Sequence, residues 1–509
     1  MAAEGELLLG IDIGTSSSKG CLVRPDGELV ATAQRPHEVS RPHPGWVEQD
    51  ADVVWWGDVK ALCRELLPHA EGAPLHGVCV SGLGPCVVAA DRSGEPLRPA
   101  ILYGVDSRAT DEIAELTERF GADEILRRCG SPLSTQAVGP KLLWLRHREP
   151  EVWERTERFF TASSFLVDRL TGEYVLDHHS ASQSDPLYEL DSNAWIPEWA
   201  EEIAPGLELP RLLWPWELAG EVTGAAAEAT GIPAGTPVAA GTIDTWAEAA
   251  SVGARNAGDM MVMYGTTMFL VQVLTEASPH PRLWSTASLE PGAHNVAGGM
   301  ATSGALAAWV SELTGSLSHE QLGEEAAAVA PGADGLVVLP YFAGERSPLF
   351  DPRARGMIFG LTLAHGRAHL YRAMLEGSAY GARHILEEMA AAGGHVRRGV
   401  AVGGGTRGGL WTQIVSDVTG IPRQDVPHVT IGASYGDALF AARATGLVEA
   451  DTTWNRADDA IEPDPTHREV YDDLYATYRE LYPATKEQMH RVADLQLREP
   501  SLTTTRKAG

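Results

Sequence analysis

The chain has 509 residues, 44% hydrophobic and 21% charged, with 53 glycines and 32 prolines. That is a globular composition, and the length calls for two or three domains. A formal net charge of −29, from 69 acidic against 40 basic residues, repels DNA, RNA and anionic lipid and excludes nucleic acid and membranes as expected partners.

The five cysteines, Cys21, Cys63, Cys79, Cys86 and Cys129, are odd in number and scattered, with no CxxC pair. A disulfide framework or zinc site does not fit, and a reducing cytoplasm does. The opening MAAEGELLLG lacks a basic n-region and reads as no signal peptide. Residues 7–13 (LLLGIDI) read as a buried strand ending at a tight turn, Gly14-Thr15. Gly20 to Val30 reads as a second strand with a turn at Pro25-Asp26-Gly27. Asp50 to Leu67 reads as a helix capped by Asp50 or Asp52, with Val54, Trp55, Leu62 and Leu66 near one face. Val78-Cys79-Val80 is a short buried strand ending at Gly82-Leu83-Gly84, and the alternation of strands and helices continues as in an α/β protein.

A further apolar strand at Pro237–Ala240 runs into Gly241-Thr-Ile-Asp244-Thr245. Residues 260–267 (MMVMYGTT) then repeat the plan of the N-terminus, with Gly265-Thr266-Thr267 standing where Gly14-Thr15-Ser16 stood. Half a chain apart, the two turns suggest a duplicated lobe. The boundary is expected near 245, after the Pro/Gly-rich Gly231–Gly241. That gives domains over 1–245 and 246–490 and a polar tail over 491–509.

In Asp12-Ile-Gly-Thr-Ser-Ser-Ser-Lys19 a buried strand delivers a carboxylate to its end. Gly14 allows a turn whose amides and hydroxyls face an anion, and Lys19 adds a positive charge; the bland alternative is a hairpin with a solvated lysine. It is not a Walker A loop, because no G-x-x-x-x-G-K-[ST] occurs. Gly403-Gly-Gly-Thr-Arg-Gly408 follows the apolar Val400–Val402. Alone it would suit a dinucleotide site with Asp425 on the ribose, but its place late in the chain favours a turn that lets adenosine approach the backbone. Asp244, ending a strand beside glycine, can accept a hydroxyl proton as that oxygen attacks a γ-phosphate. Asp177-His178-His179 has no partner at metal-ligand spacing. Trp55-Trp56, Trp195 and Trp199 read as packing, and Arg397-Arg398 as a solvated turn.

Together these features resemble the FGGY family of carbohydrate kinases, within the actin/hexokinase/Hsp70-type ATPase superfamily. Gly356-Met-Ile-Phe-Gly-Leu361, seven residues, then His369-Leu-Tyr-Arg-Ala-Met-Leu-Glu376 resembles the family's C-terminal signature. Leu339-Pro-Tyr-Phe-Ala-Gly-Glu-Arg-Ser-Pro348, Gly45-Trp-Val-Glu-Gln-Asp50, Leu97-Arg-Pro-Ala-Ile-Leu102 and Lys141-Leu-Leu-Trp144 resemble further family segments. The resemblance runs from residue 7 to about 485, and its wording is similar to that of xylulokinases. It implies two ribonuclease-H-like (actin-like ATPase) domains with an active-site cleft between them, the first binding sugar and the second nucleotide. It implies ATP and Mg²⁺, a small sugar or polyol, and a homodimer. Asp12 would hold the metal through water, with Asp244 also near it. Thr15, Ser16 and Lys19 would meet one phosphate and Gly265 and Thr266 another, while Gly304, Gly404, Gly405 and Gly408 would lie at the adenosine. Asp244 would be the catalytic base, and Gly84, Pro85, Cys86, Asp106 and Thr245 would join it at the substrate.

The chain departs from that pattern at the sugar. Xylulokinases carry G-Q-M-H-G where this chain has Gly82-Leu-Gly-Pro-Cys86, and Pro85 has no donor to replace the histidine. Their W-N-D-x-R is here Tyr103-Gly-Val-Asp106-Ser-Arg108, one residue longer, and Gly408 stands where glycerol kinases have Asn. The expected activity is ATP-dependent phosphorylation of a ketopentose such as xylulose or a related sugar. The alternatives are a different polyol, a sugar acid or a signalling molecule, or a non-catalytic ATP-binding regulatory protein.

Overall fold

The computed structural model describes residues 5–104, 106–429, 431–455 and 457–498. The chain forms two compact units. The first comprises Met1–Ala257, Val273–Val296 and His428–Arg456, and the second Gly258–Gln272, Ala297–Pro427 and Ala457–Gly509. The chain therefore leaves and re-enters each unit, where the sequence suggested one boundary near 245. Of the tail expected over 491–509, residues 499–509 lie outside the described residues, and the part before them ends the helix Arg468–Arg498.

In the first unit, β1 (Leu7–Ile13) is buried at every residue, which its unbroken apolar run anticipates for a strand covered on both faces. β2 (Ser17–Val23) pairs antiparallel with β1, and β3 (Leu29–Pro36) antiparallel with β2. β4 (Leu75–Gly82) runs parallel to β1, and β5 (Leu218–Glu221) and β6 (Pro237–Ala239) complete the order β5-β6-β4-β1-β2-β3. The segment Gly20–Val30, read as a second strand with a turn at Pro25-Asp26-Gly27, reverses at that turn and belongs to two strands, β2 and β3. Gly27 donates to the Arg24 carbonyl at 2.9 Å with a positive φ of 91°, which glycine adopts without Cβ strain.

The helix expected over 50–67 is present as a wide first turn, Ala51–Trp56, continuing into α1 (Gly57–Leu66). Asp50 is its cap, accepting from the amides of Asp52 and Val53 at 3.1 and 2.9 Å. Its inner face of Trp55, Val59, Leu62 and Leu66 joins the core with Leu9, Ile11, Val78 and Val80. Two further helices matter here, α2 (Asp244–Ser251) and α3 (Ala433–Ala444). The second of these lies directly on β1. A Cβ at Gly10 would come 1.9 Å from the Ser434 carbonyl oxygen, so only glycine permits that approach.

The second unit repeats the plan. β7 (Asp259–Tyr264) pairs antiparallel with β8 (Met268–Leu274) and parallel with β10 (Arg398–Val402). With β9 (His294–Gly299), β11 (Gln424–Pro427) and β12 (Ala457–Ile461), six neighbouring strands of a seven-stranded sheet run in the order β9-β8-β7-β10-β11-β12. In both sheets a buried strand turns into an antiparallel hairpin on one side and meets a parallel strand on the other. The turns correspond as well: Gly14 donates to Ser17 O at 3.1 Å and Gly265 to Thr267 O at 3.1 Å. The repeat suggested by two short turns is a repeat of fold. Among the described residues no helix is long and apolar enough to cross a membrane.

Candidate active site

The sheet register of the first unit sets the site. Asp12, near the end of β1, stands opposite Lys19 of β2 and opposite Ser81 of β4. A bridge between Gly82 and Ile243 brings the start of α2, and with it Asp244, to the same sheet end. Glu248 lies one helical turn after Asp244 and on the same face. From α3, Asp437 reaches under the strand ends and accepts the Ser81 hydroxyl at 2.6 Å, while Ser81 Oγ lies 3.4 Å from Asp12 Oδ1.

Three of these carboxyls face one ammonium, and their acidities report it. Burial, then Asp244 and against it Lys19, with Glu248 adding, pushes Asp12 up to about 8. Burial raises Glu248 to about 7, with Lys19 opposing and Asp244 adding. Asp244 is also raised by burial, offset by its bonds to Thr245 and by Lys19. Burial lifts Asp437 well above the usual carboxyl range, the direction of a group that keeps its proton. Asp244 is tethered by one oxygen only. Oδ1 accepts from the Thr245 amide at 2.6 Å and its hydroxyl at 3.2 Å, while Oδ2 has no protein donor among the described residues. Such an oxygen can receive a proton.

Thr15 Oγ1 meets Tyr103 Oη at 2.7 Å, and Ser16 is exposed at the tip of the turn. In the loop after β4, a Cβ at Gly84 would lie 2.8 Å from the Ile243 side chain, so Gly84 packs against that side chain. Pro85 is buried, and Cys86 is fully buried with its thiol on the Leu83 carbonyl at 3.4 Å. Of the expected substrate contacts, Cys86 therefore points inward. So does Asp106: its side chain is fully buried, bonded to Arg108 at 2.7 Å and to the Val47 amide at 2.7 Å. That carboxylate locks a loop, and direct contact with a substrate does not fit its placement.

In the second unit, Gly304 donates to Gly265 O at 3.0 Å, and Ser303 and Ala305 donate to Thr266 O at 3.0 and 3.1 Å. The turn after β7 and the start of the helix Gly304–Leu313 are thus one structure, and Thr266 is exposed on it. After β10, Gly404 and Gly408 are exposed, and a Cβ at Gly405 would strike the Trp411 ring at 2.4 Å. Asp425 accepts from Arg423 at 2.6 Å and pairs with Arg398 at 3.5 Å, so the ribose role of the dinucleotide alternative is not open to it. His179 is buried with its ring centroid 3.9 Å from that of Trp246, and Asp177 accepts from Thr242 at 2.8 Å. Those residues pack the first unit.

Ser81, Glu248 and Asp437 went unnoticed in the sequence. Glu248 carried a signal, its i+4 spacing from Asp244. For Asp437 the only signal was the small-residue run Gly432-Ala-Ser-Tyr-Gly436, which marks a helix able to press on a sheet.

The model of the N-terminal domain of the FGGY family of carbohydrate kinases matches residues 7–253, and that of its C-terminal domain residues 260–445. The chain belongs to the FGGY family. Xylulose kinase of Escherichia coli K12 is 30% identical over 448 residues, 86% of this chain and 89% of the relative. Glycerol kinase of Alkalilimnicola ehrlichii is 29% identical over 483 residues, 91% and 95% of the two chains. The crystal structure of xylulose kinase from Rhodospirillum rubrum superposes with a TM-score of 0.87 at 35% identity, covering 95% of this chain and 100% of that one. This FGGY chain is accordingly a xylulokinase-like carbohydrate kinase with the two-domain α/β fold of actin-like ATPases, and its substrates are ATP and a sugar.

Proposed function

We propose that the chain transfers the γ-phosphoryl group of MgATP to a hydroxyl of a ketopentose of the xylulose type, with Asp244 as the base. The observation that carries this reading is the Asp244 carboxylate, one oxygen fastened by Thr245 and the other without a hydrogen-bond partner among the described residues, beside Lys19 and Asp12. The sugar hydroxyl oxygen bonds to the γ-phosphorus, the bond from that phosphorus to the bridging oxygen of ADP breaks, and the hydroxyl proton passes to Asp244 Oδ2. Thr15, Ser16 and Lys19 hold one part of the phosphate chain and Gly265 and Thr266 another. Gly304, Gly404, Gly405 and Gly408 receive the adenosine, where the exposed backbone of Gly404 and Gly408 lets a flat base approach. On the sugar side, Gly84 offers backbone and Thr245 a hydroxyl.

A magnesium ion fits the donor set. Asp12 and Asp244 sit in an excess of negative charge that a cation relieves. Among the described residues no three His, Cys, Asp or Glu groups converge as a ready metal cage. Mg²⁺ characteristically keeps waters and takes one or two carboxylates plus substrate phosphates. When bound it would neutralise charge on the transferring phosphate. All five cysteines are free and buried, as a reducing cytoplasm permits, and we place the enzyme there.

A smaller polyol is the second reading, favoured by the apolar Gly84-Pro85-Cys86 loop and by the glycerol kinase similarity. A panel of ketoses, aldoses and polyols with coupled ADP detection separates the two. Sugar-dependent ADP release, highest for a ketopentose and reduced at least about 100-fold in Asp244→Asn with ATP affinity little changed, is expected. Near-wild-type turnover in that variant removes the base, and a polyol optimum removes the ketopentose.

A further inference from the structure

The carbonyls of Gly14, Thr15 and Ser16 are all held from one side of the turn. His37 Nε2 donates to Gly14 O at 2.9 Å, Gln49 Nε2 donates to Thr15 O at 3.2 Å, and the His37 amide donates to Ser16 O at 3.0 Å. The Gln49 amide cannot be reversed, because its Oε1 accepts the Trp55 indole N–H at 2.9 Å and an indole only donates. In a planar trans peptide the N–H points opposite to the C=O. Holding three successive carbonyls on one side therefore turns the amides of Thr15, Ser16 and Ser17 to the other. Successive amides so aimed form an anion-binding concavity.

The His37 ring is in a demanding place. Its side chain is 8% exposed, and its Nδ1 lies 2.9 Å from Asp58 Oδ2 at the start of α1. That same oxygen accepts the Ser18 hydroxyl at 2.7 Å. Both ring nitrogens thus face oxygens that accept, and only the doubly protonated imidazolium satisfies both. The groups facing the ring are Asp58 from α1, Ser18 from β2 and the carbonyls of Gly14 and Thr15. The neighbouring Arg35 is engaged with Glu65 at 2.7 Å.

We propose that His37, in its doubly protonated form, is a positioning residue for nucleotide binding: it locks the Gly14–Ser16 turn in its anion-accepting orientation, and loss of its proton loosens the turn's hold on the phosphates. The inference rests on the reading of that turn as a phosphate site. Burial works to lower the pKa of His37, but bonds to Asp58 and Gly14 and the Asp58 charge outweigh it, and the net direction is up. The lock is therefore complete below that raised value and is lost as pH rises through it.

The test uses the full chain labelled with ¹³C at histidine Cε1. Seventeen histidines are present, and the resonance missing from His37→Phe identifies the one of interest. Its titration midpoint is expected above those of exposed histidines and higher still with ADP bound. At pH about 6.5, His37→Phe should bind ADP about tenfold more weakly, the loss converging on wild type above that midpoint, while KM for sugar changes less than about twofold. His37→Gln, which retains one donor but no charge, should show a smaller loss at that pH and an ADP affinity without the histidine-dependent step of wild type, and it serves if the Phe variant fails to fold. A midpoint at or below the ordinary histidine value, or wild-type ADP affinity in both variants, overturns the proposal. If no sugar is phosphorylated, the functional reading fails, while ADP binding still reports on His37.

Discussion

That Asp12, Lys19 and Asp244 stand near one sheet end could be read from the sequence, because each lies near a strand end and a glycine turn, where backbone alone places a side chain. Asp106 was misread because its carboxylate is consumed by Arg108, two residues on, a local pairing that the family-like spacing concealed. Lys19 carries the residue-scale prediction. A base acts ionised, so a raised pKa sets the acid limb of the kcat profile at higher pH. Lys19 lowers Asp12, Asp244 and Glu248 alike. Removing its charge in Lys19→Met must let all three rise. At saturating ATP the acid limb should move to higher pH, and turnover at pH about 7 should fall at least about tenfold. An unmoved limb would mean that Lys19 does not act on the base.

At the scale of elements, strands and turns were read well, and the error lay in length and partner. The Gly20–Val30 run contains its own reversal, and the turn at Pro25-Asp26-Gly27 divides it between two strands. The helix Ala433–Ala444 could be anticipated, but nothing local says which sheet it covers. Its contact face is written in small residues: Gly10 on β1 receives Ser434, and Gly436 receives the Ala247 carbonyl of α2, where a Cβ would lie 1.9 Å away. Gly10→Ala sets a methyl against backbone that no rotamer change can relieve. Overpacking of this kind costs about 1–3 kcal/mol, and it acts on the helix that brings Asp437 to Ser81. A lowered denaturation midpoint, with turnover reduced at temperatures where the chain remains folded, is the expected result. Unchanged stability would show that α3 can lift from β1 freely.

At the scale of the molecule, duplication was legible because each copy needs the same strand-glycine-strand start, whereas the interleaving of the copies was not. Segments 273–296 and 428–456 belong to the first unit, and both bond deep into it. His179 meets Ala287 O at 2.8 Å, Ser131 and Ser285 pair at 3.0 Å, Asp437 accepts from Ser81, and the Trp454 indole donates to Pro25 O at 3.0 Å. A fragment of residues 1–257 has the length of a domain and lacks these pieces. Losing α3 alone removes the burial of Tyr435, Leu439 and Phe440. At about 1.5–3 kcal/mol for each large side chain, that loss is comparable with the ~5–15 kcal/mol that stabilises a whole domain. It also uncovers β1 and β4, strands buried along most or all of their length. The fragment expressed alone should be insoluble or molten, binding a hydrophobic dye and lacking near-ultraviolet circular dichroism. Supplying residues 258–509 as a second chain should restore a folded complex. A fragment that unfolds cooperatively with native near-ultraviolet signal would show that the first unit needs neither returning segment.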